Sequence, residues 1–149
     1  ALDLQKLFKQ AGAQVFLTRQ EDLAVSLRER REVARSCHAD LFVSIHTNAN
    51  VDSKVGGVAV NYSPESPESA RLAWLVKEEL VRKLKLADRG SKKLKAYSAM
   101  GTVPAIEVEV VTITNWVEEG LLRSPTIHKK AAEGIFNGVK DYLAGQFPQ

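Results

Sequence analysis

Leu41-Phe42-Val43-Ser44-Ile45 is a near-continuous apolar run that turns polar at His46-Thr47-Asn48. A strand covered on both faces reads this way, because each face needs apolar side chains. The setting that usually supplies two covers is a parallel sheet between layers of helices. Around this run, short β-favouring stretches alternate with amphipathic helical ones. The pattern predicts an α/β fold, a three-layer sandwich with a mostly parallel central sheet and helices on both faces. The 149 residues argue for a single domain, since a domain takes about 150 residues.

The spacing predicts a helix over 2–11, stopped by Gly12, and a strand at Val15-Phe16-Leu17-Thr18. Asp22 is the expected N-cap of a helix carrying Leu23, Leu27 and Ala34 inward. A strand is expected over 56–62. Ser66-Pro67 opens the next helix, with Leu72, Leu75, Val76, Leu80 and Leu84 on one face up to Gly90. A strand follows over 104–113. Asn115 and Glu118 resemble a capping box, and Ser124-Pro125 opens a last helix with Ile127, Ala131, Ile135, Val139 and Leu143 on its stripe. The chain starts on an amphipathic helix (Leu4, Leu7, Phe8, Ala11) without initiator Met or signal peptide, so it is expected to begin inside a domain, truncated at its N-terminus.

Composition closes off several classes. A hydrophobic fraction of 44% and charged fraction of 26% exclude whole-chain disorder. No apolar run approaches the ~18 residues of a membrane span. Cys37 is the single cysteine, so no internal disulfide forms. Charge is concentrated between Arg82 and Lys95. Either this is a solvated helix end or a patch for a polyanion. Nucleic acid is disfavoured because the stretch lacks aromatic residues ahead of Tyr97 for stacking on bases.

His46 is the most informative residue. It follows a buried strand, and open α/β sheets bind ligands beyond the carboxyl ends of their strands. It reads as a metal ligand, a general base or a simple strand cap. In Pro104-Ala105-Ile106-Glu107-Val108-Glu109-Val110, alternation puts Glu107 and Glu109 on one face. Two carboxylates on an apolar strand require a wet face or a compensating cation. If the strand lies within the sheet, Glu109 suits a general base, with Glu107 the weaker candidate. His38, beside Cys37, and His128 read as ordinary helix-end and surface histidines. Phosphate loops and nucleophile elbows are absent.

Leu17-Thr18-Arg19, Ser26-Leu27 with Arg30, and Ala39-Asp40-Leu41-Phe42-Val43-Ser44-Ile45-His46-Thr47-Asn48-Ala49 resemble the zinc-dependent N-acetylmuramoyl-L-alanine amidases of the amidase-3 type. Arg89-Gly90, Val103-Pro104-Ala105-Ile106-Glu107-Val108-Glu109 and Ile113-Thr114-Asn115 continue the resemblance in the same order. It spans nearly the whole chain, as a single amidase-like catalytic domain over 1–149. The resemblance implies cleavage of the amide between N-acetylmuramic acid and L-alanine of the stem peptide. It implies zinc as cofactor, His46 as a zinc ligand, Glu109 as the catalytic acid/base and Asn48 as a substrate contact. It also implies peptidoglycan as partner, an activator protein, and an extracytoplasmic location. Two of the family's three metal ligands have no counterpart here, so this chain alone is expected to bind zinc weakly, to be inactive, and to associate through an unpaired sheet edge. The competing expectation is a non-catalytic peptidoglycan-binding or regulatory domain on the same fold.

Overall fold

The structure, a computed structural model, describes residues 1–145. Five helices and three strands appear among them: α1 (Leu2–Gln10), α2 (Leu27–Ser36), β1 (Phe42–Asn48), β2 (Ala59–Tyr62), α3 (Pro67–Leu84), β3 (Ala105–Thr112), α4 (Trp116–Leu121) and α5 (Pro125–Ala144). A 3₁₀ turn covers Lys95–Met100. The sheet order is β1-β3-β2. β1 and β3 are parallel, whereas β2 runs antiparallel to β3. The sheet is therefore small and mixed, not mostly parallel.

The reason lies just after α3. That helix ends at Leu84, with Lys85 in the left-handed region at φ 55°, instead of reaching Gly90. Residues 86–94 then form an extended strap along β2, with parallel bridges Val58–Asp88 and Tyr62–Lys93. The strap adds one more traverse of the sheet, so the chain enters β3 in the direction opposite to β2.

Two further expectations are corrected. Val15–Thr18 forms no strand, since no backbone among the described residues pairs with it and Phe16 stands 57% exposed. The cap of α2 is Ser26, not Asp22. Ser26 Oγ accepts from Glu29 N–H at 3.1 Å, and Glu29 Oε2 accepts from Ser26 N–H at 2.7 Å. This reciprocal pair satisfies two helix-end donors and leaves Leu23 outside the helix, exposed.

Helices cover both faces, unequally. The main core joins Val60, Ile106 and Val108 of the sheet to Leu72, Val76 and Leu80 of α3 and Ile135 and Val139 of α5. Each such side chain contributes about 1.5–3 kcal/mol on burial. α1 packs outside α5, with Phe8 edge-on to Phe136 at 5.2 Å. Leu143, expected on the α5 stripe, is exposed. The opposite face carries a smaller cluster of Ala34, Phe42, Tyr97, Met100 and Ala105. That cluster covers only the amino ends of β1 and β3, and the carboxyl ends of the same face are left to polar residues.

Candidate active site

Side chains alternate along a strand. Phe42, Ser44 and His46 of β1 therefore share a face with Ala105, Glu107 and Glu109 of β3. The register pairs Ser44 with Glu107 and His46 with Glu109, so the two sequence candidates stand side by side at the carboxyl ends of adjacent strands. β3 is the central strand. Its two carboxylates are thus compensated within the sheet and do not face solvent from an edge.

The compensation is specific. Arg89 Nη1 lies 2.8 Å from Glu109 Oε2, and Asn61 Nδ2 approaches Oε1 at a longer 3.4 Å. Glu107 Oε2 accepts from the Tyr97 hydroxyl at 2.9 Å. Ser44 Oγ and His46 Nε2 are hydrogen-bonded at 2.7 Å. Burial raises the Tyr97 hydroxyl to about 12; the Ser44 hydrogen bond and the Arg30 charge oppose this, while Glu107 adds to it.

The strap positions Arg89. Lys77 Nζ, on α3, holds Asp88 Oδ2 at 2.5 Å, and Gly90 N–H donates to Asp88 Oδ1 at 2.7 Å. Asp88's carboxyl is held below its usual range by the Lys77 hydrogen bond. Lys77's ammonium is raised overall: burial opposes the charge, and the bonds to Asp88 and Glu78 outweigh it. On either side of Asp88, Val58 N–H donates to Ala87 O and Arg89 N–H to Val58 O, each at 2.8 Å. The basic stretch from 82 to 95 is thus partly neutralised by ion pairs. Arg82 pairs with Glu79, Lys83 with Glu133 and Arg89 with Glu109.

Asn48 lies two residues beyond His46, past a register irregularity. Its Nδ2 donates to Thr112 Oγ1 at 3.4 Å, and its carbonyl accepts from Ile113 N–H at 2.8 Å. His38 precedes β1, at the opposite end from His46. His128 is exposed on α5 with Nε2 against the Leu122 carbonyl. Neither approaches the candidate pair. Glu118 does not complete a capping box. Asn115 Oδ1 accepts from Val117 and Glu118 N–H, while Glu118 turns its buried carboxylate to Thr112 N–H at 2.8 Å. Sequence reasoning named His46, Glu109 and Asn48. Tyr97 and Asn61 carry no local sequence signal, and Ser44 and Arg89 are visible in the sequence only as parts of larger motifs.

A resident zinc needs about three protein ligands and an open position. Among the described residues, no group of three His, Cys, Asp or Glu side chains could hold a metal. His46 is one imidazole with Nε2 engaged by Ser44, and Glu109 is tied to Arg89 and Asn61. These donors alone do not fit a zinc centre.

A mixed α/β layer fold with a histidine and a glutamate paired at strand carboxyl ends has its candidate active site where open α/β sheets bind ligands. The sequence profile described as N-acetylmuramoyl-L-alanine amidase matches residues 1–141, and the chain belongs to this amidase-3 family. It is 36% identical over 135 residues to the N-acetylmuramoyl-L-alanine amidase LytC of Bacillus subtilis (strain 168), covering 89% of this chain and 27% of LytC. Among solved structures, it resembles the CwlD amidase of Clostridioides difficile in complex with the GerS lipoprotein. That match has TM-score 0.90 and 28% identity, covering 97% of this chain and 82% of the other. The catalytic domain of the amidase CwlV from Bacillus (Paenibacillus) polymyxa var. colistinus aligns with TM-score 0.87 and 30% identity, covering 96% and 80%. The chain spans 27% of LytC and 66% and 47% of the next two curated relatives.

Proposed function

We propose that this domain hydrolyses the amide between the lactyl group of N-acetylmuramic acid and L-alanine of the peptidoglycan stem peptide. The observation that carries the reading is Glu109, paired in register with His46 and clamped by Arg89 through one oxygen only. Oε2 is held at 2.8 Å, while Oε1 has only the 3.4 Å contact to Asn61. Oε1 is therefore the oxygen available to accept a proton.

In the proposed reaction, water attacks the amide carbonyl carbon and Glu109 takes its proton. The C–N bond breaks as that proton passes to the alanine nitrogen. The products are a muramic acid carboxylate and a stem peptide with a free amino terminus. Arg89 fixes the direction of the carboxylate, Ser44 orients the His46 ring, and Asn48 offers a polar rim contact. Zinc is part of the proposal as cofactor, with His46 one ligand. When bound it would polarise the scissile carbonyl; the described residues alone do not complete its shell. The lipoprotein bound to CwlD supports an activator partner, and the cell-wall relatives support an extracytoplasmic location. No helix among the described residues is long and apolar enough to cross a membrane.

The test is Glu109→Gln in the natural polypeptide, assayed by release of stem peptide from sacculi. The glutamine keeps the side-chain shape but cannot take the proton. Release should fall by a factor on the order of 10²–10⁴. Near-normal release in the variant overturns the role of Glu109. Sacculus binding without peptide release by the unmodified protein favours the wall-binding alternative.

A further inference from the structure

Beyond the paired residues, β1 and β3 stay tied together as they leave the sheet. Ile113 N–H donates to Asn48 O at 2.8 Å, and Asn50 N–H to Thr114 Oγ1 at 3.0 Å. Between these two loops opens a cleft of about 520 Å³ lined by Asn50, Val51, Ser53, Ile113, Thr114 and Trp116, among others. It is a shallow depression, broadly open to solvent. Trp116 is 90% exposed and Val51 fully so. An indole left almost wholly in water forgoes one of the largest burial energies a side chain has.

The walls that present it are nonetheless fixed. Asp52 N–H donates to Asn50 Oδ1 and Lys54 N–H to Asp52 Oδ1, each at 2.9 Å. Opposite, the buried Glu118 carboxylate grips Thr112 N–H and packs so closely on Gly56 that a Cβ there has no room. A buried bond at Glu118 and exposed turn bonds at Asn50 and Asp52 thus shape the two walls that present Trp116 and Val51 to solvent, at the end of the sheet where the proposed reaction occurs.

We infer that this cleft is a sugar-binding subsite in which Trp116 stacks on the apolar face of an N-acetylated aminosugar of the glycan strand. The inference rests on the amidase reading, since it assigns to the same site the glycan that flanks the cleaved bond. Three features favour a sugar over a protein. The apolar surface is one ring and two aliphatic side chains, far below the roughly 800 Å² per partner of a stable protein interface. Asn50, Ser53 and Thr114 alternate with them as partners for ring hydroxyls and acetamido groups. Asn48, whose carbonyl accepts from Ile113 N–H of the lining, borders the cleft on the side of the proposed reaction centre. Binding remote from the reacting bond is one source of the energy that positions a substrate.

The chain has two tryptophans, and Trp74 lies on α3. Trp74→Phe therefore leaves Trp116 as the sole indole reporter. A soluble β-1,4-linked N-acetylglucosamine oligomer should quench and blue-shift its fluorescence in a saturable way. In the Trp74-containing protein, Trp116→Ala should weaken retention on immobilised oligomer about five- to tenfold, a size typical of one aromatic stacking contact. Trp116→Tyr, which keeps a ring, should retain most of it. Trp116 touches no core, so the alanine variant should fold with unchanged circular dichroism. No fluorescence response to the oligomer overturns the proposal, as does equal retention by Trp116→Ala. A blue shift that tracks protein concentration without sugar also overturns it, because a second copy then covers the ring. Oligomer binding as expected, with no stem-peptide release from sacculi by the natural polypeptide, upholds the sugar site and removes the amidase reading.

Discussion

Tyr97 carries its hydroxyl to Glu107 on the sheet's polar face while its ring packs against Phe42 at 6.2 Å. Burial favours its neutral form and lifts it from 10.0 to about 12. Because the folded state holds the proton more tightly than the unfolded one, this contribution to stability is complete below pH 10.0. It is lost as pH rises toward about 12. The portion of tyrosinate absorbance that disappears in Tyr97→Phe should therefore titrate near the upper value. A missing portion that titrates at the ordinary value rules out the buried neutral hydroxyl. The same variant leaves Glu107 without its donor and should cost about 1–2 kcal/mol in denaturant unfolding. At this scale the sequence exposes the residues whose pattern is local. His46 ends an apolar run and Glu109 sits in an alternating one, so both could be singled out. Tyr97 and Asn61 act through partners 10 and 48 residues away, and no local spacing encodes those meetings. Arg89 is visible in its motif, yet its aim at Glu109 depends on a strap that the helical pattern conceals.

Packing between elements explains two glycines in the middle of α5. Gly costs a helix interior about 1 kcal/mol relative to Ala, yet Gly134 and Gly138 both face α3. A Cβ at Gly138 would lie 2.5 Å from Val76 Cα and 2.8 Å from Val76 N, and one at Gly134 2.9 Å from Leu80 Cδ2. The two helices touch nearly backbone to backbone at Gly138. Gly138→Ala must push them apart, and overpacking of this kind costs about 1–3 kcal/mol or more, exceeding the propensity gain. Gly120 in α4 has nothing within 4 Å of its Cβ position, so Gly120→Ala should gain up to about 1 kcal/mol. Thermal unfolding should move in opposite directions for the two substitutions. A stabilising Gly138→Ala contradicts the close approach. The apolar stripes of α3 and α5 were readable because burial repeats with the helical period. The end of α3 was not, because apolar spacing continues past Leu84 while the backbone turns left-handed at Lys85. The supposed strand at 15–18 had suitable residues but no partner, and a strand needs one.

The two edges of the sheet are finished differently, and this shapes the behaviour of the whole molecule. β2 is covered by the strap, whose backbone bonds at Val58, Val60 and Tyr62 occupy its outer groups. β1 has only β3 beside it among the described residues. Phe42 N–H donates to Pro104 O on the β3 side, so by alternation the N–H groups of Val43 and Ile45 point outward. Ile45 itself is 36% exposed. An unpaired edge with apolar side chains is a template for another strand, and proteins commonly blunt such edges with lysine. The mixed sheet does not alter this consequence, because the parallel pair β1–β3 is the part that was expected. The 149-residue chain should therefore self-associate as its concentration rises in sedimentation velocity. Ile45→Lys should require about tenfold more protein to reach the same associated fraction, because an edge charge opposes strand addition. The net charge of +3 is too small for general repulsion to produce that change alone. The control is Lys54→Glu, which alters charge on the β1–β2 loop away from the edge and should leave association nearly as it was. A chain that stays monomeric throughout, or one whose association responds equally to both substitutions, shows that the β1 edge is not the contact.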